Sequence, residues 1–168
     1  IIARAANDLC RYYASQDDIQ AKILCVPYLY TASAALNDPF LVPLFEACST
    51  GSVALQGAAD VPFPLLCAEE LAVLVNRVFD SWDATFETLE VADAFHRTTG
   101  DLGDALLGLF PGLSVAYGES TGYALPAGDV ARKRYGWFQR YDLLRDLSTI
   151  HARWVNTRTK KVNPLRAA

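Results

Sequence analysis

The sequence predicts an all-α protein: a compact multi-helix bundle or irregular helical array, with about six to eight helices and an extended C-terminal arm. Three observations lead to this prediction. Apolar residues recur at helical spacing along most of the chain, strand-like alternation is scarce, and no repeat of fixed period is found. At 168 residues the chain has the length of one domain, which can bury a core without disulfides or metals.

The first third of the chain contains three predicted helices. The first runs from Ile2 to Tyr13, where apolar residues keep helical spacing. The second starts at Ser15 and continues to Val26, because positions 19, 23 and 26 are apolar with the same period. The sequence Asn-Asp-Pro at 37–39 indicates a turn and a cap, so a third helix is predicted over 40–49. The two prolines in 61–64 then predict a loop.

The rest of the chain predicts four more helices. The clearest pattern is a wide apolar stripe over 65–79, followed by a helix over about 84–98. A shorter helix capped by Asp101 ends before Pro111. The Gly-rich segment 118–128 is predicted to be a loop before a long final helix over about 129–154.

The predicted organisation is a single α-helical domain, 1–155, followed by a basic extended arm, 156–168. The charge distribution supports this division. Residues 1–131 carry 5 basic and 17 acidic side chains, a net charge of −12, whereas residues 132–168 carry 10 basic and 2 acidic ones, a net charge of +8. Such asymmetry indicates an arm that meets an anionic surface.

The four cysteines are widely spaced, and each stands in an apolar run. They are Cys10, Cys25, Cys48 and Cys67. We expect four buried thiols and therefore an intracellular reducing compartment or organelle interior rather than secretion. The chain contains no methionine, so we expect a processed product or an excised piece. No run approaches 18 apolar residues, and no transmembrane span is predicted.

One short motif suggests catalysis. Residues 118–122 read GESTG, which matches the G-x-S-x-G pattern of serine hydrolases, with Ser120 as the nucleophile. Asp142 or Asp146 and His151 follow in the order that a hydrolase triad needs. However, the residues after Gly122 resist helix formation, and the acid and base are predicted to share one helix. We therefore interpret 118–128 as a turn or hinge and assign no catalytic residue.

A row of carboxylates could in principle bind a metal. Asp80, Asp83, Glu87 and Glu90 are spaced 3, 4 and 3 residues apart and would share one helical face. Di-metal bundles need carboxylates and two Glu-x-x-His pairs, whereas this region has one approximate pair, formed by residues 93 and 96. We interpret the row as a solvated acidic face and predict no metal and no cofactor. The two histidines, His96 and His151, receive no catalytic role.

The basic C-terminal segment is the predicted partner-binding surface. Aromatic residues alternate with basic ones there, and the helical period assigns the aromatics of 130–154 to a buried face. The arm has no core to join, so we expect it to contact a partner. The predicted partner-binding residues are Arg153, Trp154, Arg158, Lys160, Lys161 and Arg166.

The function predicted from these patterns is that of a non-catalytic α-helical structural or accessory subunit of a larger assembly, and not an enzyme. A processed organellar complex subunit and a capsid or scaffold protein both fit. The expected partners are other protein subunits, through acidic surfaces or through self-association, with nucleic acid or anionic lipid as further candidates for the arm. Two alternatives stay open: a nucleic-acid-binding module that uses the basic helix and arm, and a hydrolase with Ser120.

Overall fold

The computed structural model describes residues 2–16, 20–32, 37–82, 86–91, 94–119 and 130–162. These ranges contain six helices and six short strands, which are interspersed along the chain. The predicted all-α fold is therefore wrong, and the protein is an α/β protein.

The elements of the first half are α1 (Ile2–Gln16), β1 (Ala21–Cys25), β2 (Tyr28–Tyr30), α2 (Leu41–Ser49), β3 (Ser52–Leu55) and β4 (Leu65–Cys67). Those of the second half are α3 (Ala68–Asp80), β5 (Phe86–Glu90), α4 (Thr99–Leu109), β6 (Ser114–Tyr117), α5 (Val130–Tyr135) and α6 (Leu143–Val162). None of the helices in the described part of the chain is both long and apolar enough to cross a membrane.

The strands form three parallel pairs. β1 pairs with β5, β2 with β4 and β3 with β6, and each pair is in register along its whole length. Parallel strands cannot be joined by a tight turn, so each pair needs a long crossover connection. The helices and strands between the two partners in the sequence provide these connections.

The core consists of two hydrophobic clusters on either side of β4. The larger cluster joins α2, β3, α4 and α6, and it contains Leu65 and Cys67 of β4. The smaller one joins α3, β5 and α5, and it contains Leu66, whose side chain points the other way. All three residues of β4 are therefore buried, which is the pattern of a parallel strand covered on both faces.

Two predicted helices are strands in the structure. The helix predicted from Ser15 to Val26 is replaced by the end of α1 at Gln16 and by β1, and the helix predicted over 84–98 by β5. β5 contains Phe86 and Thr88, which favour a pleated strand, whereas β1 has only Ile23 of this kind and is strand because it pairs with β5 along its whole length. Residues 65–67, predicted as helix, form β4 before α3 begins.

Four helix predictions are confirmed in type and place, and α1 covers the first of them, from Ile2 to Tyr13. α2 follows the turn at residues 37–39, and Gly51 beyond its end has φ 92°. α3 contains most of the predicted apolar stripe. α4 begins with a capping box in which the Thr98 side chain accepts the Asp101 N–H and the Asp101 carboxylate accepts the Thr98 N–H.

The predicted final helix over 129–154 is two helices, α5 and α6. Gly136 ends α5 with φ 59°, a backbone conformation that favours glycine. The extended segment after it is held by the Trp137 indole N–H, which donates to the Glu70 carbonyl, and by the Gln139 amide, which donates to the Leu65 carbonyl. Asp142 then caps α6 by accepting the Leu144 N–H.

The C-terminal arm is only partly described. Helix α6 continues to Val162, so residues 156–162 are helical and not extended as predicted. The remaining residues, 163–168, lie outside the described residues, as do 120–128 of the predicted Gly-rich loop. The division into a domain at 1–155 and an arm at 156–168 stays a prediction.

The expectation of four buried cysteines holds for two of them. All four are free thiols, but only Cys48 and Cys67 are buried, whereas Cys10 on α1 and Cys25 at the end of β1 are exposed. Burial and a hydrogen bond to the Glu69 carboxylate raise the pKa of the Cys67 thiol to about 11.

Candidate ligand pocket

A cavity of about 500 Å³ opens where β3 ends. Leu55 is the last residue of β3, and Gln56 and Gly57 continue along the cavity wall. The opposite walls come from α2, from residues 61–63 and from the first turn of α4. In open parallel α/β sheets, ligands bind outside the carboxyl ends of the strands, and β3 and β6 are parallel and end together here. This cavity is therefore the candidate site.

The α2 wall is fixed by the buried carboxylate of Asp38. Its Oδ1 atom accepts the backbone N–H groups of Phe40 and Leu41, at 2.9 and 2.6 Å. Its Oδ2 atom accepts the backbone N–H and the hydroxyl of Thr31, at 2.6 and 2.8 Å. One side chain therefore joins the end of β2 to the start of α2, which sets where Phe40 stands over the cavity.

The aromatic wall consists of three rings. Tyr28 and Phe63 are stacked, with centroids 5.5 Å apart and planes at 25°, and Phe40 lies 5.7 Å from Phe63. The Phe63 N–H donates to the Arg97 carbonyl at 2.7 Å, so its backbone is fixed. The exposed faces of such rings offer a flat surface on which a planar group can stack.

The α4 wall depends on a close approach of two backbones. The N–H groups of Thr99 and Gly100 donate to the carbonyls of Val61 and Ala59, at 2.9 and 2.7 Å. A Cβ atom at Gly100 would lie 2.9 Å from the Ala59 carbonyl oxygen, so only glycine fits without a shift. These two hydrogen bonds hold the loop that carries Phe63 against the start of α4.

The cavity is electrically neutral in its lining. None of the described residues that line it carries a charge, and its polar groups include the Tyr28 hydroxyl, the Gln56 amide and the Thr99 hydroxyl. The first turns of both bordering helices contribute to its lining, and N–H groups at a helix N-terminus would ordinarily favour an anion. Their first N–H groups are already bonded, to Asp38 in α2 and to residues 59–61 and Thr98 in α4. The arrangement therefore suits an uncharged ligand with a flat or apolar group.

The predicted partner-binding residues do not line this cavity. Trp154 is buried in the larger core cluster. The guanidinium of Arg158 lies 4.8 Å from the Trp154 ring and forms an ion pair with Glu46, and Arg153 donates to the Ala32 carbonyl. Lys160 and Lys161 lie in α6, and Arg166 lies outside the described residues. Binding of a partner by these residues stays a prediction.

The other sequence candidates are not brought together. Ser120 lies outside the described residues. The carboxylate row is not one helical face, since Asp80 ends α3 while Glu87 and Glu90 belong to β5. Over the ranges that the structure describes, no cluster of three His, Cys, Asp or Glu side chains could hold a metal ion. His151 packs among Phe45, Phe110 and Trp154, and burial lowers the pKa of its imidazole.

A buried polar cluster elsewhere has a structural role. The Lys22 ammonium lies 3.3 Å from the Glu87 carboxylate and 3.0 Å from the Tyr135 hydroxyl, which donates to Glu87 in turn. Arg134 also pairs with Glu87. The cluster ties β1 and β5 to α5, with the Glu87 carboxylate paired to both cations.

The residues of the pocket were missed because no short motif contains them. Tyr28, Phe40 and Phe63 come from three segments that the fold brings together. Two signals were readable: Asp38 before a helix, and the proline-rich loop next to an aromatic residue at position 63.

Solved structures with the same fold are enzymes. A UDP-glucose 4-epimerase from Thermotoga maritima, solved with UDP-glucose, has a TM-score of 0.71 at 11% identity and covers 93% of this chain and 52% of its own. A double mutant of a dTDP-glucose 4,6-dehydratase from Streptomyces venezuelae with NAD bound has 0.69 at 16%, covering 89% and 48%. An L-threonine dehydrogenase from Cupriavidus necator has 0.62 at 16%, covering 90% and 58%.

These likenesses show the fold. The chain has the α/β fold of these enzymes and spans about half of their length. No protein-family profile and no curated protein matches the sequence.

The comparison with solved structures contradicts the predicted function. The prediction of a non-catalytic all-α subunit is wrong, and so is the prediction that the chain is not an enzyme. The first rested on helical patterns and the second on the lack of a catalytic motif, whereas the solved structures that share the α/β fold are enzymes. The nucleic-acid-binding module and the Ser120 hydrolase do not correspond to the enzymes with this fold either.

The chain does not itself carry the G-x-G-x-x-G fingerprint of a dinucleotide cradle. The fingerprint for a dinucleotide pyrophosphate begins with two glycines separated by one residue. The sequence has ten glycines, and no two of them stand at that spacing. This fingerprint therefore assigns none of the chain's residues to NAD(P).

Proposed function

We propose that the chain is the substrate-binding part of an epimerase-, dehydratase- or dehydrogenase-type protein and that the pocket between α2, β3 and α4 holds the organic substrate. The observation that carries this proposal is the neutral cavity with its stacked Tyr28–Phe63 wall at the end of β3. The likeness to solved enzymes supports it as an analogy of fold. The flat group of the substrate stacks on the aromatic wall.

The neutral lining of the pocket limits the kinds of ligand that the pocket can bind. Two of the solved structures contain nucleotide-linked sugars or belong to enzymes named for them. A diphosphate is held most strongly by cations, and the lining supplies none among its described residues. The pocket therefore takes the uncharged planar part, such as a nucleobase, and any phosphate lies outside it.

The direct test is ligand binding by the purified chain, measured by calorimetry with uridine, thymidine, UDP-glucose, dTDP-glucose and L-threonine. Stacking of a base on an aromatic ring contributes about 1–3 kcal/mol, so Phe63→Ala should weaken nucleoside binding by roughly tenfold or more. Because Phe63 is partly buried, a second variant is needed. Ala54→Trp fills the cavity from an exposed position of β3 and should abolish binding while the fold persists.

The matched control is Phe138→Ala, which removes an exposed aromatic ring outside the pocket. Its affinity for nucleosides should equal that of the wild type. Equal affinity of the Ala54→Trp variant and the wild type, or no binding of any ligand of the set, would refute the proposed site.

A further inference from the structure

A second cavity, of about 520 Å³, lies between α3 and the extended segment that follows α5. Its volume is in the range of protein binding sites, and it shares none of its described lining residues with the candidate ligand pocket. We call this cavity the arginine groove. The side chains that carry the following argument are those of Val73, Arg77, Phe138, Arg140, Tyr141 and Arg145.

The carboxylates of the arginine groove are occupied by donors within the protein. Glu70 accepts the backbone N–H groups of Arg140 and Tyr141, at 2.6 and 3.2 Å. Glu69 accepts the hydrogen of the Cys67 thiol at 2.9 Å. Three arginines line the same cavity, so its net charge is positive although the protein as a whole is acidic.

The guanidinium groups keep donors for an acceptor in the groove, because an arginine side chain has five N–H donors. Arg77 uses its Nη1 atom, which donates to the carbonyls of Tyr135 and Gly136 at 3.0 and 2.6 Å. These two bonds fix the position of the guanidinium. Arg140 forms no ion pair with any residue that the structure describes, and its guanidinium lies 5.1 Å from the centre of the Phe138 ring.

The groove also exposes apolar side chains. Val73, Phe138 and Tyr141 are 48, 51 and 48% exposed. Phe138 stands between Trp137 and Gln139, whose side chains donate to backbone carbonyls, so a fixed backbone presents its ring. Exposed aromatic residues and arginines are the types that are enriched at the centres of protein interfaces. An ion alone would leave these side chains uncovered, so the complementary ligand has apolar as well as anionic groups.

We propose that the arginine groove binds an acidic peptide segment of a partner protein, in which Asp or Glu side chains stand next to apolar ones. A carboxylate accepts two parallel hydrogen bonds from one guanidinium, so Arg77 and Arg140 can each bind one. Arg145, which pairs with Asp146 at 3.1 Å, adds to the attraction at longer range. The apolar side chains of the peptide cover the exposed rings and the valine.

Nucleic acid fits the groove less well than an acidic peptide. A positive groove with exposed rings could stack bases. However, residues 1–131 carry a net charge of −12, which repels a chain of phosphates, whereas a short peptide brings only a few charges near it. The proposal does not depend on the candidate ligand pocket, because the two cavities have separate linings.

Fluorescence anisotropy tests the proposal with the purified chain and a fluorescein-labelled decapeptide of Asp and Glu that contains two phenylalanines. We expect a dissociation constant of about 10–500 µM at about 50 mM salt. Binding should weaken at about 300 mM salt, because salt screens exposed charges. The same peptide with amides in place of its acids, or with glycines in place of its phenylalanines, should bind about fivefold more weakly or worse.

Two variants of the chain test the groove itself. Arg140→Gln removes an exposed cation and should weaken binding of the acidic peptide about fivefold or more. Its matched control is Arg158→Gln, because Arg158 also lies over an aromatic ring, that of Trp154, but stands outside the groove. This control should bind the peptide as the wild type does. Val73→Glu keeps the arginines and places a carboxylate in the groove, so repulsion should weaken binding about tenfold or more.

Far-ultraviolet circular dichroism checks that each variant is folded. Three results would overturn the proposal: no binding of the acidic peptide at about 50 mM salt, equal affinity of Arg140→Gln and the wild type, or tighter binding of an oligothymidylate of about ten nucleotides than of the peptide. Loss of binding in Arg158→Gln, with Arg140→Gln unaffected, would also contradict it and would place the peptide on α6.

Discussion

The buried carboxylate of Glu70, in α3, accepts the backbone N–H of Arg140 at 2.6 Å, and its second oxygen accepts the N–H of Tyr141. These bonds hold the segment between α5 and α6 in an extended conformation. Trp137 strengthens the attachment by donating to the Glu70 carbonyl. The side chain thus explains why one predicted helix is two.

Replacement of Glu70 should destabilise the fold. Glu70→Ala leaves two N–H groups of the linker without their acceptor, which costs roughly 1–3 kcal/mol in the free energy of unfolding. Urea denaturation followed by tryptophan fluorescence measures this change. Glu90→Gln, at an exposed position of β5, is the control and should shift the free energy by less than about 0.5 kcal/mol. Equal stability of the two variants would show that the linker is held by other contacts.

Two glycines of α4 should respond to alanine in opposite directions. A Cβ at Gly108 meets no atom within 4 Å, so Gly108→Ala should stabilise the protein by roughly 0.5–1 kcal/mol through helix propensity. A Cβ at Gly100 meets the Ala59 carbonyl, so Gly100→Ala should destabilise it by about 1 kcal/mol or more. Thermal unfolding of the two variants reads out both effects. If both stabilise, the close approach of loop and helix at the pocket is not present.

The thiols should separate into two classes. Cys10 and Cys25 are exposed, whereas Cys48 and Cys67 are buried, and burial raises the pKa of both buried thiols. A disulfide reagent at pH 8 should therefore modify two thiols of the native protein quickly and the other two only after denaturant is added. Rapid modification of all four without denaturant would contradict the buried positions.

Stability should depend on pH through His151. Burial lowers the pKa of this imidazole below the value of about 6.5 that it has in the unfolded chain. The contribution of His151 is therefore fully present above pH 6.5 and decreases as the pH falls through 6.5 toward the folded value, because the unfolded state takes up the proton first. Unfolding curves between about pH 5 and 8 should be less pH-dependent for His151→Phe than for the wild type. Identical pH profiles would contradict the assignment.

The sequence predicts the helices of this fold better than its strands. α2 and α4 have caps that can be read directly, from Asp38 and from Thr98 with Asp101. The strands are three to five residues long, and a window that short does not separate a period of 2 from a period of 3.6. β4, buried on both faces, has no alternation at all and was assigned to the apolar stripe of α3.

The sequence contains a signal for the end of α5, but the helical spacing of apolar residues continues across it. Gly136 and Asp142 are the residues expected after one helix and before the next, and the apolar spacing across them concealed the interruption. The pocket was not readable at all, because Tyr28 and Phe63 become neighbours only when β2 pairs with β4.

The central claim is that the pocket holds an uncharged planar group, and comparison of a nucleoside with its nucleotide sugar tests it most directly. Calorimetry of uridine and UDP-glucose binding, at salt concentrations between about 50 and 500 mM, separates stacking from charge contacts. We predict affinities within roughly threefold of each other that do not change with salt, because the lining carries no charge among its described residues. Binding of UDP-glucose that is tenfold tighter or more and that weakens steeply with salt would contradict the account.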